Sequence, residues 1–415
     1  MKKTLPIGLD DFRIMREHNK YYVDKTRMIK DFIEYENIVT LITRPRRFGK
    51  TLNMTMLRDF FDISQDSKDI FYGLAIMDTV YATQINSAPV IYLTLKNCTG
   101  KSVESLEASI AEEIRKEYIK YESVFVDVDQ QKSVYVRYFE TLKMLENENI
   151  TETRLKNSIA YLMEALHVRY GIRPIVLIDE YDNPIISAHK GGFREEFSDF
   201  YSTFLTVLLK GNSHLGQALL TGIQRVAKES IFSRLNNLVV YNVLSKRYSD
   251  YFGLTGKETE KLLDYYGVEL NDAVRGFYDG YSFSGTEIYN PWSILNYVSE
   301  EELKPYWVNT STNALITESL LSADYDFHKG FEELIVNGQT EIAANLEASF
   351  VELPKTETLW GLLVNAGYLT IINADFEYEL FTVRIPNREV MTELRKIVSD
   401  YTKLSAQSLQ KMLKS

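Results

Sequence analysis

The segment from Ile38 to Phe61 constrains the fold of this 415-residue chain most strongly. Residues 38–42 form a short apolar run that predicts a buried strand, and apolar residues then recur at helical spacing from Leu52 to Phe61. The loop between them ends in the sequence FGKT, like the phosphate-binding pattern G-x-x-x-x-G-K-[ST]. Strand, loop and helix in this order are the context in which backbone N–H groups and a helix N-terminus bind phosphate.

The first half of the loop departs from that pattern, because Arg44 occupies the position of the first glycine. An arginine makes a left-handed turn at this position more costly but leaves the backbone donors in place. We expect Lys50 to hold phosphate and the Thr51 hydroxyl to bind Mg²⁺. The predicted cofactor-binding residues of the loop are Arg46, Arg47, Phe48, Gly49, Lys50 and Thr51. The alternative is a basic surface turn that contains GKT by chance.

Arg46 and Arg47 admit three interpretations. They could bind phosphate, form ion pairs with acids such as Asp24 or Asp182, or contact DNA. DNA contact needs a continuous basic surface, and the net charge of −11 makes one less favourable. Phosphate contact or an ion pair is therefore the preferred interpretation.

A second motif is the buried strand Ile175–Ile178 followed by Asp179 and Glu180. At the tip of such a strand an aspartate can hold Mg²⁺, and the adjacent glutamate can activate the attacking water. Alone, an apolar strand ending in two acids is common. Together with the upstream loop it predicts a nucleotide site, with Asp179 as a metal residue and Glu180 as a catalytic residue.

A third segment, LLTGIQRVAKESIFSRLNNL, places Thr221 at the end of another strand and Arg225 just after it. We expect Thr221 to contact the γ-phosphate and Arg225 to stabilise transition-state charge, from the same subunit or from a neighbour. Arg234 is a weaker candidate for the same role. The alternative is that these arginines pair with local acids such as Glu229.

Composition excludes several other kinds of site. A single cysteine, Cys98, rules out an internal disulfide and a cysteine-based zinc site, and the five histidines show no metal-ligand spacing. The N-terminus, MKKTLPIGLDDF, lacks the apolar run of a signal peptide, and no window approaches 18 uninterrupted apolar residues. We therefore expect a cytoplasmic protein that does not enter a membrane.

Strands alternating with helices over the first ~240 residues predict an α/β fold, a parallel P-loop NTPase sheet with helices on both faces. We assign residues 1–245 to this domain. The pattern then changes, and we assign 246–305 to a helical lid-like module, 306–400 to a winged-helix-like module and 401–415 to a C-terminal tail.

These motifs together resemble the bacterial AAA-ATPase-like proteins, relatives of the STAND and archaeal ATPases. The resemblance extends from near the N-terminus to about Asn387 and is carried by segments that include LPIGLDDF, YYVDKT, RPRRFGKT, LIDEYDNPI, YNPWSILNY and LWGLLVNAGYLT. That family also has arginine in place of the first glycine. Members often continue into a PD-(D/E)XK nuclease-like domain, but no such triad is expected in the 25 residues after IPNREV.

The resemblance implies an Mg²⁺-dependent ATP-binding protein, a slow ATPase that acts as a conformational switch. ATP and Mg²⁺ are the implied cofactors. The alternative is a non-hydrolysing, nucleotide-gated scaffold for a nuclease or a DNA-associated partner. A third hypothesis is DNA binding by the C-terminal module. A homo-oligomer also stays open, because an arginine supplied to a neighbouring site requires one.

Overall fold

The computed structural model describes residues 2–225, 235–307, 323–347 and 355–402, with side chains up to residue 396. The chain divides into two compact units. The sheet unit comprises Asp24–Ile42 and Met54–Val240, and the loop unit comprises Met1–Val23, Thr43–Asn53 and Tyr241–Ser415. Arg234 and Glu229 lie outside the described residues, as does most of the predicted tail, 401–415.

Strands and helices alternate in the described segments up to about residue 240, and shorter elements follow. The strands are β1 (Val39–Thr43), β2 (Val90–Thr94), β3 (Ile175–Asp179), β4 (Ala218–Gly222), β5 (Leu238–Tyr241), β6 (Leu254–Thr255), β7 (Tyr281–Phe283), β8 (Thr286–Tyr289), β9 (Gln339–Ala343), β10 (Thr370–Asp375) and β11 (Leu380–Arg384). The first nine α-helices are α1 (Phe12–Glu17), α2 (Arg27–Glu34), α3 (Lys50–Phe61), α4 (Lys68–Phe71), α5 (Val103–Lys120), α6 (Ser133–Glu146), α7 (Glu152–Tyr170), α8 (Asn183–Gly191) and α9 (Arg194–Leu209). The later ones are α10 (Gly256–Tyr266), α11 (Asp272–Tyr278), α12 (Pro291–Glu300), α13 (Tyr325–Asn337), α14 (Thr356–Ala366) and α15 (Arg388–Thr402). Short 3₁₀ helices within the described segments cover Ala75–Asp78, Val80–Gln84 and Glu122–Phe125.

A five-stranded sheet in the order β2-β3-β4-β1-β5 organises the first part of the chain. Strand β3 pairs in parallel with both of its neighbours, from Val90 opposite Ile175 to Thr94 opposite Asp179 on one side. Every residue of β1, β3 and β4 is buried. Strands buried on both faces are typical of a parallel sheet covered by helices. The predicted α/β fold is confirmed.

Helices α5 to α9 build the main core of the sheet unit, and local sequence signals set their ends. Ser102 and Ser105 form a reciprocal capping box at the start of α5. Gly171 ends α7 in a left-handed conformation with φ 70°, as its position in the sequence predicts. The buried faces of these helices join the sheet in one apolar cluster that includes Leu106, Tyr118, Leu162 and Phe204.

Residues 254–300 of the loop unit combine helices α10 to α12 with a small antiparallel sheet in the order β6-β8-β7. The sequence analysis predicts the helices but not this sheet. Its hairpin turns through Ser284 (φ 52°) and Gly285 (φ 82°). Two consecutive positive φ angles are the mark of a tight hairpin turn, so the dipeptide Ser-Gly is the signal that predicts it.

The C-terminal part of the loop unit contains α13, α14 and α15 around a second antiparallel sheet in the order β10-β11-β9. Within it, helix α14 is followed by the antiparallel hairpin of β10 and β11. The assignment of this module to the winged-helix class stays a prediction, as do the domain boundaries at 245, 305 and 400. Among the described residues no helix has the length and apolar character needed to cross a bilayer.

Candidate functional site

The predicted phosphate-binding loop lies between the end of β1 at Thr43 and the start of α3 at Lys50. Two of its residues have left-handed backbones, Arg47 with φ 66° and Gly49 with φ 83°. A Cβ at Gly49 would meet no atom within 4 Å, so the glycine is required by its backbone angle and not by lack of space. Arg44 does not have a positive φ, so the cost of a left-handed arginine does not arise at this position. The backbone strain lies at Arg47 instead.

Lys50 is buried at the first position of α3, and its ammonium group contacts the loop backbone. It donates hydrogen bonds to the carbonyl oxygens of Arg44 and Pro45, each at 3.0 Å. Thr51, the next residue, is half-buried in the first turn of the same helix. A lysine charge and a helix N-terminus therefore lie together at the loop, which is the donor set that a phosphate requires.

Arg44 is a fully buried cation beneath the loop. Its guanidinium donates to three backbone carbonyls, those of Thr43 (2.8 Å), Tyr241 (3.1 Å) and Tyr248 (3.2 Å). Its guanidinium carbon lies 5.2 Å and 5.5 Å from the ring centroids of Phe283 and Phe252. Burial lowers the pKa of Arg44 to about 9, so the side chain is still charged at neutral pH. Arg44 therefore joins the loop to residues 241–252 of the loop unit.

Arg47 makes a second connection of this kind. It donates to the carbonyl oxygens of Tyr306 (3.0 Å) and Trp307 (3.2 Å), and its guanidinium lies 4.4 Å from the ring centroid of Trp292. Burial is the main cause that lowers the pKa of Arg47. These carbonyl groups and the Trp292 ring are the contacts of Arg47 within the loop unit, and the suggested ion pairs with Asp24 or Asp182 stay a prediction.

The two remaining loop residues differ in environment. Arg46 is half-buried, and its carbonyl oxygen accepts a bond from the Trp307 indole at 3.5 Å. Phe48 is fully buried, with its ring 5.0 Å and 5.4 Å from those of Tyr281 and Phe283. A contact between Phe48 and phosphate would therefore involve its main chain and not its ring.

A buried carboxylate, Glu389 on α15, contacts the segment that Arg47 binds. It accepts hydrogen bonds from the Trp307 N–H at 2.7 Å and from the Ser293 hydroxyl at 2.8 Å. Burial raises the pKa of Glu389 to about 7, against the opposing effects of these bonds and of the Arg47 charge. Sequence reasoning missed Glu389, and no signal in IPNREV identifies it.

The acidic motif is in the sheet unit, where Asp179 ends β3 and is fully buried. Its Oδ1 accepts hydrogen bonds from the Thr221 hydroxyl at 2.6 Å and from the Glu180 N–H at 3.1 Å. Thr221 belongs to the neighbouring strand β4. The structure thus brings together the predicted metal residue and the predicted γ-phosphate sensor.

Glu180 has a strained backbone. Its φ is 52°, a conformation that costs a non-glycine residue about 1–3 kcal/mol and that concentrates at functional sites. The turn is held by the Tyr181 N–H, which donates to the Thr221 carbonyl at 3.0 Å, and by the Asn183 N–H, which donates to the Glu180 carbonyl at 3.0 Å. The surrounding bonds therefore fix the direction in which the Glu180 side chain leaves the backbone.

Arg225 is half-buried at the end of the described segment 2–225. Its role in charge stabilisation stays a prediction. The preceding residue, Gln224, is buried, and its side-chain Oε1 has no hydrogen-bond donor within the described segments. A buried acceptor of this kind is suited to a water or ligand donor. The described part of the chain contains no group of three or more His, Cys, Asp or Glu side chains arranged to hold a metal by themselves.

Two comparisons with known proteins agree with this geometry. The family model described as Predicted AAA-ATPase matches residues 6–232, which is more than half of the chain and includes the loop, both acids, Thr221 and Arg225. The chain is also 30% identical over 408 residues to a protein of Azotobacter chroococcum mcd 1 described as an uncharacterized protein in the vnfD 5′ region. That match covers 95% of this chain and 70% of the relative.

Proposed function

The chain belongs to the predicted AAA-ATPase family, and from this membership we propose that it binds ATP with Mg²⁺ and hydrolyses it slowly to drive a conformational switch. One observation is the main support for this proposal. The Lys50 ammonium lies 3.0 Å from two loop carbonyls at the start of a 12-residue helix, next to a left-handed Gly49. Together these groups form a phosphate-binding loop in spite of Arg44.

Each site residue has a proposed role in this reaction. Lys50 and the loop N–H groups hold the phosphates, and Thr51 and Asp179 hold the metal. Glu180 orients and deprotonates the attacking water, while Thr221 and Arg225 respond to the γ-phosphate. Thr51 and Asp179 would hold Mg²⁺ here, and the ion would supply positive charge against the negative charge that develops on the phosphate.

The residues present fit this cofactor chemically. The Thr51 hydroxyl and the Asp179 carboxylate are oxygen ligands of the type that Mg²⁺ prefers. The Oε1 of the buried Gln224, which has no donor among the described residues, adds one acceptor just after strand β4. This assignment of one nucleotide to the loop and the acids rests on their chemistry and on their order in the sequence.

The switch is supported by the way the loop is held. A phosphate bound at Lys50 competes with the carbonyls of Arg44 and Pro45 for the Lys50 ammonium group. The same backbone carries the side chains of Arg44 and Arg47, which bind carbonyls between residues 241 and 307. A shift of the loop backbone on phosphate binding therefore changes contacts far along the chain but within the loop unit. These contacts would serve a non-hydrolysing, nucleotide-gated scaffold equally well.

Turnover distinguishes the ATPase from the scaffold. We expect the wild type to hydrolyse Mg²⁺·ATP and Glu180→Gln to bind ATP within about threefold of the wild type while its kcat falls by about 10²-fold or more, since loss of a catalytic base has effects of this size. Glu195→Gln, which changes an exposed glutamate of α9, is the matched control and keeps wild-type turnover. Equal binding without turnover in both proteins would favour the scaffold, and equal turnover would exclude Glu180 as the base.

A further inference from the structure

We propose that Asp182 is a positioning residue for this ATPase, which holds the turn after β4 and thereby keeps Thr221 against Asp179. The inference rests on the proposed ATP hydrolysis and adds a residue to its machinery. Asp182 lies three residues after Asp179 and is only 2% exposed.

The Asp182 carboxylate binds the backbone that follows strand β4. Its Oδ2 accepts hydrogen bonds from the N–H groups of Ile223 (2.9 Å) and Gln224 (3.2 Å). Hydrogen bonds from N–H groups to an ionised carboxylate are stronger than those between neutral groups. Two of them on one oxygen fix the path of the chain as it leaves β4.

These bonds take the place of an ordinary helix cap. Asp182 occupies the N-cap position of α8, where aspartate commonly accepts bonds from the first N–H groups of its own helix. Its side chain makes no such cap bond. The carboxylate binds the turn after β4 instead, which indicates a role outside α8.

Tyr181 and Gly222 tighten the same contact. The Tyr181 hydroxyl donates to the Gln224 carbonyl at 2.7 Å, so the turn is bound on both its N–H and its C=O side. A Cβ at Gly222 would lie 2.7 Å from the Tyr181 ring and 2.8 Å from Asp182 Oδ1. Only glycine allows the backbone to come this close.

The position of the turn determines the position of Thr221. Thr221 is two residues before Ile223, and its hydroxyl contacts Asp179 Oδ1 at 2.6 Å. Asp179 thus binds the side chain of Thr221, and Asp182 binds the backbone that follows it. A displacement of about 1 Å in a catalytic group can cost about 10²-fold in rate.

The test compares Asp182→Ala with Asp182→Asn. Alanine leaves the two buried N–H groups without their acceptor, whereas asparagine keeps a side-chain oxygen that can accept from them. Asp62→Ala is the matched control, because Asp62 is also a buried aspartate of the sheet unit that accepts a backbone N–H, that of Ser64 at 3.0 Å. For each folded variant we would measure kcat, ATP affinity, and amide hydrogen exchange of peptides covering residues 219–225.

We expect Asp182→Ala to lower kcat by about 10-fold to 10²-fold with ATP affinity within about threefold of the wild type, as displacement of a reacting constellation predicts. Exchange at 223 and 224 should become faster in Asp182→Ala, and Asp182→Asn should restore both kcat and protection. Asp62→Ala should lower stability without changing kcat. Unchanged kcat in Asp182→Ala, or equal loss in Asp62→Ala, would overturn the inference while the ATPase stands. Absence of turnover in the wild type would instead overturn the proposed function, and unchanged exchange in Asp182→Ala would separately refute the contact.

Discussion

The loop before α3 and the ends of β3 and β4 neutralise their buried charges in opposite ways. In the loop a buried cation, Arg44, is surrounded by backbone carbonyls and aromatic rings. At the strand ends two buried carboxylates, Asp179 and Asp182, are surrounded by N–H groups and a hydroxyl. Each region thus uses the partial charges of the backbone as the partner of a buried ion.

The two regions also differ in how far along the chain their partners lie. Arg44 reaches carbonyls 197 and 204 residues away, and Arg47 reaches carbonyls 259 and 260 residues away. Asp179 binds Thr221 on the neighbouring strand, 42 residues away, and Asp182 binds the turn after that strand, 41 and 42 residues away. The conformation of the loop therefore depends on contacts with the later part of the loop unit. The conformation of the acidic motif depends on the pairing of β3 with β4.

The largest expected effect is on stability, in Arg44→Gly. This change restores the glycine of the standard phosphate loop, yet we expect it to lower the free energy of unfolding by about 3–5 kcal/mol, the combined cost of buried carbonyls left without a donor and of a cavity. The carbonyls of Tyr241 and Tyr248 lose their donor, and a cavity opens between Phe252 and Phe283. Denaturant unfolding measures the change.

Arg44→Lys is the control, because it keeps the charge but cannot reach three carbonyls with one planar fork, and it should lose less. If Arg44→Gly is as stable as the wild type, Arg44 is a tolerated substitution in the loop and not its support.

The next effect is a pH dependence that Glu389 gives to the loop unit. Burial raises the pKa of Glu389 to about 7 from the ordinary 4.5. Between these values the folded protein binds a proton that the unfolded chain releases. Stability therefore falls as the pH rises through this window and levels off above it, by about 3 kcal/mol in all at 1.36 kcal/mol per pH unit.

Glu389→Gln removes this titration while it keeps an oxygen for Ser293 and Trp307. Its unfolding free energy, measured from pH 5 to 8, should fall by less than that of the wild type. Glu357→Gln, an exposed glutamate of α14, should follow the wild type. Parallel curves for Glu389→Gln and wild type would refute the assignment.

The smallest effect is expected at the strand ends, in Thr221→Val. The change keeps the shape of the side chain but removes the hydroxyl that donates to Asp179 Oδ1. We expect a loss of about 1–3 kcal/mol in unfolding free energy, the cost of leaving one buried acceptor without its donor. Thr221→Ser keeps the hydroxyl and should retain most of the stability. If Thr221→Val lowered the unfolding free energy more than Arg44→Gly does, the strand ends and not the loop would contribute more to stability.

The sequence predicts the parts of this molecule that depend on local patterns. The apolar run before Asp179 predicts β3, and helical spacing together with Gly171 predicts α7 and its end. The position of Phe48–Thr51 at the end of the loop is predicted by the motif, which has a fixed spacing and lies between a strand and a helix. These features depend on residues that are neighbours in the chain.

Other features could not be predicted because their partners are distant in sequence. An arginine is usually exposed, so the sequence alone does not predict that Arg44 is buried. The carbonyl groups that bind its guanidinium lie about 200 residues later in the chain. Glu389 lies in an ordinary amphipathic helix, and only Ser293 and Trp307 distinguish it. Asp182 follows the acidic motif, where the sequence suggests only an ion-pair partner, because the register between β3 and β4 decides which backbone its carboxylate meets.

The most direct test of the central claim is the affinity for Mg²⁺·ATP of the wild type beside Lys50→Ala, with Lys68→Ala of α4 as the control for loss of an exposed lysine. If the Arg-containing loop binds phosphate, the wild type and Lys68→Ala should both show saturable binding of Mg²⁺·ATP. Binding should be weaker by about 10²-fold in Lys50→Ala, which corresponds to about 2.7 kcal/mol. Equal affinity of wild type and Lys50→Ala, or no binding by the wild type at millimolar ATP, would contradict the claim.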